Sequence, residues 1–232
     1  RGLGDVYKRQ DNWSAAAGLL DGKIQDGSND GWGTAARLTF APVKSKRRLL
    51  HGGASFEYRE PDEIRYGPRP ESHLSSRVQS TSTLRDVDHT ITAGLEAAAV
   101  FDSLSLQGEY IQVSVERDNQ RSDPEFSGWY IYGSWFITGE SRRYNVKKGT
   151  FKSIRPGSKY GAWELAARYS ALDLDDKNVT GGEGKNITLG ANWYLNRYLR
   201  FMANYVRADA DPDRDGNNES ADIYQLRAQL VF

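Results

Sequence analysis

The stretch "NITLGANWYLNRYLRFMANYV", residues 186–206, decides the fold class. Ile187, Leu189, Ala191, Trp193 and Leu195 alternate with Asn186, Thr188, Gly190, Asn192 and Tyr194. A period of two puts the first set on one face of a strand and the second on the other. Only Asn196 and Arg197 separate this strand (184–195) from the next (198–209), so the two read as antiparallel neighbours joined by a tight turn. An ordinary globular strand has about 5–6 residues, and a tilted membrane-crossing strand needs about 9–11. These two are of membrane length.

The same reading extends outward. Strands are expected near 13–20, 32–40, 48–58, 89–100, 103–116, 126–139, 161–172 and 221–232, which makes about ten in all. "AWELAARYSA" sets Trp163, Leu165, Ala167, Tyr169 and Ala171 against Glu164, Ala166, Arg168 and Ser170. No segment carries a convincing helical period. Short connections (101–103, 196–197) alternate with longer polar ones at 21–31, 59–88, 117–125, 173–183 and 210–220, as in outer-membrane barrels. The segment 140–160 breaks the pattern, being long on the short-turn side. Trp13, Trp32, Trp129, Trp163, Trp193, Tyr58, Tyr110 and Tyr205 fall near strand ends, where aromatic girdles mark the lipid–water boundary. A soluble sandwich with an aromatic core is the competing reading of the same residues.

Composition agrees with a barrel and removes other classes. The 31 basic and 31 acidic residues cancel, which argues against a general nucleic-acid binder. There is no Cys, so disulfides and thiolate chemistry are excluded. Mean hydropathy is −0.70, and no apolar run approaches the roughly 18 residues of a spanning helix. A β-barrel keeps low hydropathy because its lumen-facing residues are polar. The first ten residues, "RGLGDVYKRQ", have no apolar core and do not read as a secretion signal. They are expected to be a non-native or disordered leader, with 11–232 forming a partial barrel domain.

Five blocks, "LSLQGEYIQV" (104–113), "GWYIYGSWFITGESRRY" (128–144), "GAWELAARYSALDL" (161–174), "ITLGANWYLNRYLRFMANYV" (187–206) and "YQLRAQLVF" (224–232), resemble the phosphate-selective porins of the O/P type from bacterial outer membranes. The resemblance implies an all-β antiparallel transmembrane β-barrel, of which this chain would hold about ten C-terminal strands of sixteen. It also implies a homotrimer in outer-membrane lipid and lipopolysaccharide, passing small anions such as phosphate or polyphosphate by passive diffusion, with no cofactor and no catalysis. A general non-selective porin, or a soluble binding module, is the alternative. The family's inward constriction loop and its anion-binding lysines would lie upstream of this chain.

Site residues follow from that frame. Arginine donates two parallel hydrogen bonds to a phosphate and stays charged at any working pH. Arg59, Arg65, Arg69, Arg77 and Arg85 in the 59–88 loop are therefore the candidates for guiding anions, although six acids share that loop. Arg37, Arg168 and Arg227, with Glu57, Glu96, Glu109 and Glu164, are expected to face the lumen. "DPDRDGNNESAD" offers Asp211, Asp213, Asp215 and Asp222 at the spacing of a calcium loop, but Asp replaces the usual bidentate Glu and strands flank it. The basic segment 140–160 reads as a solvated turn. The three His residues form no hydrolase motif, so no enzyme is expected. The final strand carries Tyr224, Leu230 and Phe232 toward lipid and resembles the signal read by the outer-membrane assembly machinery. Ten strands of a larger design should form an open sheet, without pairing of 13–20 to 221–232.

Overall fold

The computed structural model describes residues 2–9, 11–21, 31–69, 79–119, 121–211 and 219–231, with backbone alone for 2–9 and Asp21. It is all-β and antiparallel. Eleven strands form the main sheet in sequence order: β1 (Gly2–Arg9), β2 (Trp13–Asp21), β3 (Trp32–Lys44), β4 (Arg48–Arg59), β7 (Val87–Phe101), β8 (Leu104–Arg117), β9 (Glu125–Phe136), β12 (Ala162–Asp176), β13 (Val179–Tyr194), β14 (Leu199–Asp211) and β15 (Glu219–Leu230). Two small hairpins interrupt the meander: β5 (Glu63–Ile64) with β6 (Leu84–Arg85), and β10 (Tyr144–Asn145) with β11 (Thr150–Phe151). Among the described residues β2 pairs only with β1 and β3, and β15 only with β14, so the sheet is open.

Gly2–Arg9, within the segment expected to be a non-native or disordered leader, pairs along β2, from Gly2 opposite Leu20 to Arg9 opposite Ser14. That segment lacks the long apolar alternation that marks the other strands, so backbone pairing is its only signature. The long loop expected at 173–183 is absent. β12 and β13 continue their ladder to Asp176 and Val179, leaving only Lys177 and Asn178 at the tip, with Lys177 at a φ of 54°. Burial explains the extension: Leu174 and Val179 join Leu84, Val87, Val115 and Phe126 in one apolar cluster.

Register gives the sheet two unlike faces. On the outward face stand Leu38, Phe56, Leu95, Leu106, Ile131, Leu165, Leu189 and Leu226, all exposed, Leu226 to 88%. A soluble sheet does not leave so much contiguous apolar surface bare. Rings bracket this band in two rows. Toward the short turns lie Trp135, Trp163, Trp193 and Phe201, with Trp193 stacked between Trp163 and Phe201 at 5.4 and 5.6 Å. Toward the other end lie Trp32 against Tyr58, Trp129 against Tyr169 and Tyr205 against Tyr224, at 5.3–5.5 Å. Trp129 and Trp135 on β9, like Trp163 and Tyr169 on β12, are six residues apart, roughly 20 Å of strand. That is close to the apolar band of an outer-membrane barrel, about 25 Å tall.

Candidate functional site

The opposite face is polar, and two segments fold onto it. We call it the inner face. Following the ladders from Arg37 through Ser55, Gly94, Glu96, Glu109, Tyr130, Ser170, Glu164, Asn192 and Met202 to Arg227 keeps one parity throughout. Arg37, Glu57, Glu96, Glu109, Glu164, Arg168 and Arg227 therefore share one side of the sheet.

The first inward segment is 137–161, the connection between β9 and β12. It does not form a solvated turn. Val146 is buried against Ala41, Leu49 and Val100 of β3, β4 and β7, with Tyr144 and Phe151 packed beside it. Gly149, at a φ of +61°, closes the small hairpin where a side chain would strike Thr39. The sequence carries a signal for this: Tyr144 and Val146, then Lys147-Lys148-Gly149 as a turn, then Phe151. Five cations around those few apolar residues obscure it.

A polar network fastens this strap to the wall. The Arg37 Nη2 donates to Glu96 Oε1 at 2.5 Å and to the Gly149 carbonyl at 3.0 Å. His51 Nε2 lies 2.9 Å from the same Glu96 oxygen, and its Nδ1 meets the Tyr144 hydroxyl at 2.6 Å. A carboxylate only accepts, so His51 Nε2 is the donor to Glu96. Burial, with Glu96 adding to it, pushes the Tyr144 hydroxyl up to about 12, so Tyr144 remains a donor at any physiological pH. Further along, the Arg142 Nη1 donates to Gln107 Oε1 at 2.8 Å, and its guanidinium lies 3.9 Å from the Phe151 ring centre. Arg142 thus belongs to the inner face.

The second inward segment comes from the opposite end and includes β5 and β6. Leu84 is buried in the cluster with Val115 and Phe126, with Ile64 and Tyr66 packed beside it. Thr81 and Tyr66 hold the segment's two halves together through Thr81 N to Tyr66 O at 2.9 Å and Tyr66 N to Thr81 Oγ1 at 3.0 Å. Ser80 N and Gln79 Nε2 donate to the carbonyls of Gly181 and Gly182 on β13, anchoring it to the wall.

The five loop arginines are not equivalent. Arg59 Nε pairs with Glu57 at 2.5 Å, Arg85 Nε lies 3.6 Å from Glu63, and Arg65 Nε donates to Ser80 Oγ at 2.9 Å. Arg69 lines a recess beside the wall. Arg77 lies outside the described residues. Of the calcium candidates, Asp213 and Asp215 also lie outside them. Asp222 stands apart from Asp211 in register. It sits opposite Arg207, whereas Ala210, beside Asp211, pairs with Glu219, roughly 10 Å along the strand. Calcium needs its oxygens at about 2.3–2.6 Å. The Asp222 carboxylate instead accepts from Tyr205 at 2.8 Å and pairs with Arg207 at 3.3 Å. Tyr224 and Leu230 are exposed on the outward face, and Phe232 lies outside the described residues.

Glu164 is the most buried of the seven inner-face charges, 3% exposed. Its Oε2 accepts from Asn192 Nδ2 at 2.9 Å and from the Tyr194 hydroxyl at 2.8 Å, while Tyr132 reaches Oε1 at 3.5 Å. Arg200 extends the network, donating to Tyr194 at 3.2 Å and to Gln229 at 2.8 Å. Sequence reasoning misses Arg200, although its parity with Met202, the ladder partner of Asn192, places it on this face. Glu164→Gln turns one acceptor into a donor facing donors. We expect a loss of about 1–3 kcal/mol, read from urea unfolding in lipid vesicles.

The family model for phosphate-selective porin O and P matches residues 2–232. The chain belongs to that family. Porin O of Pseudomonas aeruginosa is 29% identical over 229 residues, covering 84% of this chain and 52% of that protein. An uncharacterized protein of Caulobacter vibrioides is 33% identical over 238 residues, covering 96% of this chain and 47% of the other. The chain spans about half the length of these curated relatives. Family membership makes this a porin-family sequence.

Proposed function

We propose that this chain forms part of the wall of a sixteen-stranded outer-membrane barrel through which small anions, phosphate among them, diffuse passively. The observation that carries the reading is the pairing of an apolar, ring-bracketed outward face with an inner face that bears fixed charge and two inward segments. Fixed charge in a narrow passage of low dielectric selects by sign. On the wall itself four acids oppose three of the expected arginines, so selectivity rests on where the cations stand. Arg142 and Arg200 add positive charge to the inner face, and Arg65 and Arg69 lie on the second segment. Arg59 and Arg85, each beside a carboxylate, contribute less. A homotrimer, lipopolysaccharide contact and recognition of the terminal strand by the assembly machinery belong to the same reading.

Single-channel currents through the full-length protein test it, with phosphate and chloride compared at equal activity. Phosphate favoured over chloride is the expected result, and equal permeation would leave a general porin. A stable monomer free of detergent would return the soluble binding module.

A further inference from the structure

The recess between Tyr66–Arg69 and the walls of β8, β9, β12 and β13 has features that inorganic phosphate does not use. Its volume is about 430 Å³, within the range of small-molecule sites. Tyr66, Ile111, Phe126 and Leu172 are among the apolar side chains that line it. Tyr66 and Phe126 are 5.5 Å apart at their ring centres, fixed by the apolar cluster beneath. Ile111 stands where the inner face of β8 turns from polar to apolar, between Glu109 and Val113, and it is 42% exposed. An apolar side chain standing bare on a water-lined wall gains free energy only when something apolar covers it.

The polar groups supply the other half of the specification. Arg69 and Arg168 both line the recess, one on the inward segment and one on β12. The Arg168 guanidinium lies 4.5 Å over the Tyr130 ring, which limits its orientations. Glu109 shares the lining, so the charged residues named here sum to one positive charge. Phosphate, strongly hydrated and without apolar surface, would engage the arginines and leave the rest of the recess unused.

We infer that this recess is a binding subsite for organic anions that combine one carboxylate or similar group with a flat apolar body, an aromatic carboxylate being the simplest. The acidic group faces Arg69 and Arg168, and the ring lies against Ile111, Tyr66 and Leu172. The inference rests on the channel reading above and narrows it: the pore holds such solutes longer than it holds small inorganic anions.

Benzoate and acetate separate the two ideas, because they share the carboxylate and differ by the ring. With the full-length protein in a planar bilayer carrying a chloride current, benzoate should reduce the current at about one-tenth the concentration that acetate needs. Ile111→Ser should raise the half-blocking concentration of benzoate several-fold while moving that of acetate little. Arg168→Gln should weaken both. Folding of each variant is checked by heat-dependent mobility on gels. Equal action of benzoate and acetate on a normal current overturns the subsite and leaves the channel standing. Absence of any current from correctly folded protein overturns the channel reading and the subsite with it.

Discussion

Leu165→Arg is expected to destabilise the sheet in a bilayer by about 1–3 kcal/mol, the cost of a lipid-facing arginine between the midplane and the girdle of an outer-membrane barrel. Leu165 is exposed on the outward face of β12, between Trp163 in one ring row and Tyr169 in the other. Its ladder partners are Trp135 on β9 and Ala191 on β13, and no acid faces it across either pairing. No acid there neutralises a guanidinium, which gains water only by snorkelling past the ring row that Trp135 and Trp163 mark. The control is Asn204→Arg, on the inner face of β14, where water is available and the expected loss is below about 1 kcal/mol. Urea titration in lipid vesicles compares the two. Similar losses at both sites would mean that the faces are not what register makes them.

Gly149→Val should detach the inward strap. The added Cβ would stand 2.9 Å from Thr39 Cγ2 and 3.1 Å from Arg37 Nη1, and a β-branched residue resists a φ of +61°. Overpacking and backbone strain together make about 2–4 kcal/mol against the docked position. The strap can respond without unfolding the wall, because its attachments are local: Val146 in its apolar site, Tyr144 on His51, and Gly149 on Arg37. Two readouts follow. Trypsin should cleave faster after Lys147 and Lys148, which are exposed but held in a docked hairpin. Single-channel conductance should rise as the lumen widens. Faster cleavage with unchanged conductance would mean that the strap lies outside the conducting path.

Much of the fold is written locally. Alternation in "NITLGANWYLNRYLRFMANYV" needs only neighbouring residues to be read, and register then carries parity from one strand to the next. That is why seven charges scattered from Arg37 to Arg227 could be assigned to one face before any coordinates. The inward segments were not legible for the converse reason. Val146 is spoken for by Ala41, Leu49 and Val100, and Leu84 by Leu174 and Val179, contacts tens of residues away that no local pattern announces. Arg142 shows the difficulty in a single residue. Beside Arg143 and ahead of Lys147 and Lys148 it reads as part of a solvated cationic run, yet Phe151 and Gln107 hold it against the wall. The extended tip of β12 and β13 has the same origin, since acidic residues there suggest a loop while Leu174 and Val179 are drawn under the second segment.

The strap has a mechanical consequence. It leaves the wall after β9, re-enters at β12, and is fastened in between to β3 and β4. Those attachment points are four and three inter-strand gaps from β9, about 19 and 14 Å along the wall. A tether fixed at both ends of such an arc acts as a tie rod. Flattening the wall stretches it, and tightening the wall crowds Val146. The Arg37–Glu96–His51–Tyr144 cluster is the fastening at one end of that rod, so a substitution there should alter how stiffly the wall keeps its radius as well as how wide the passage is.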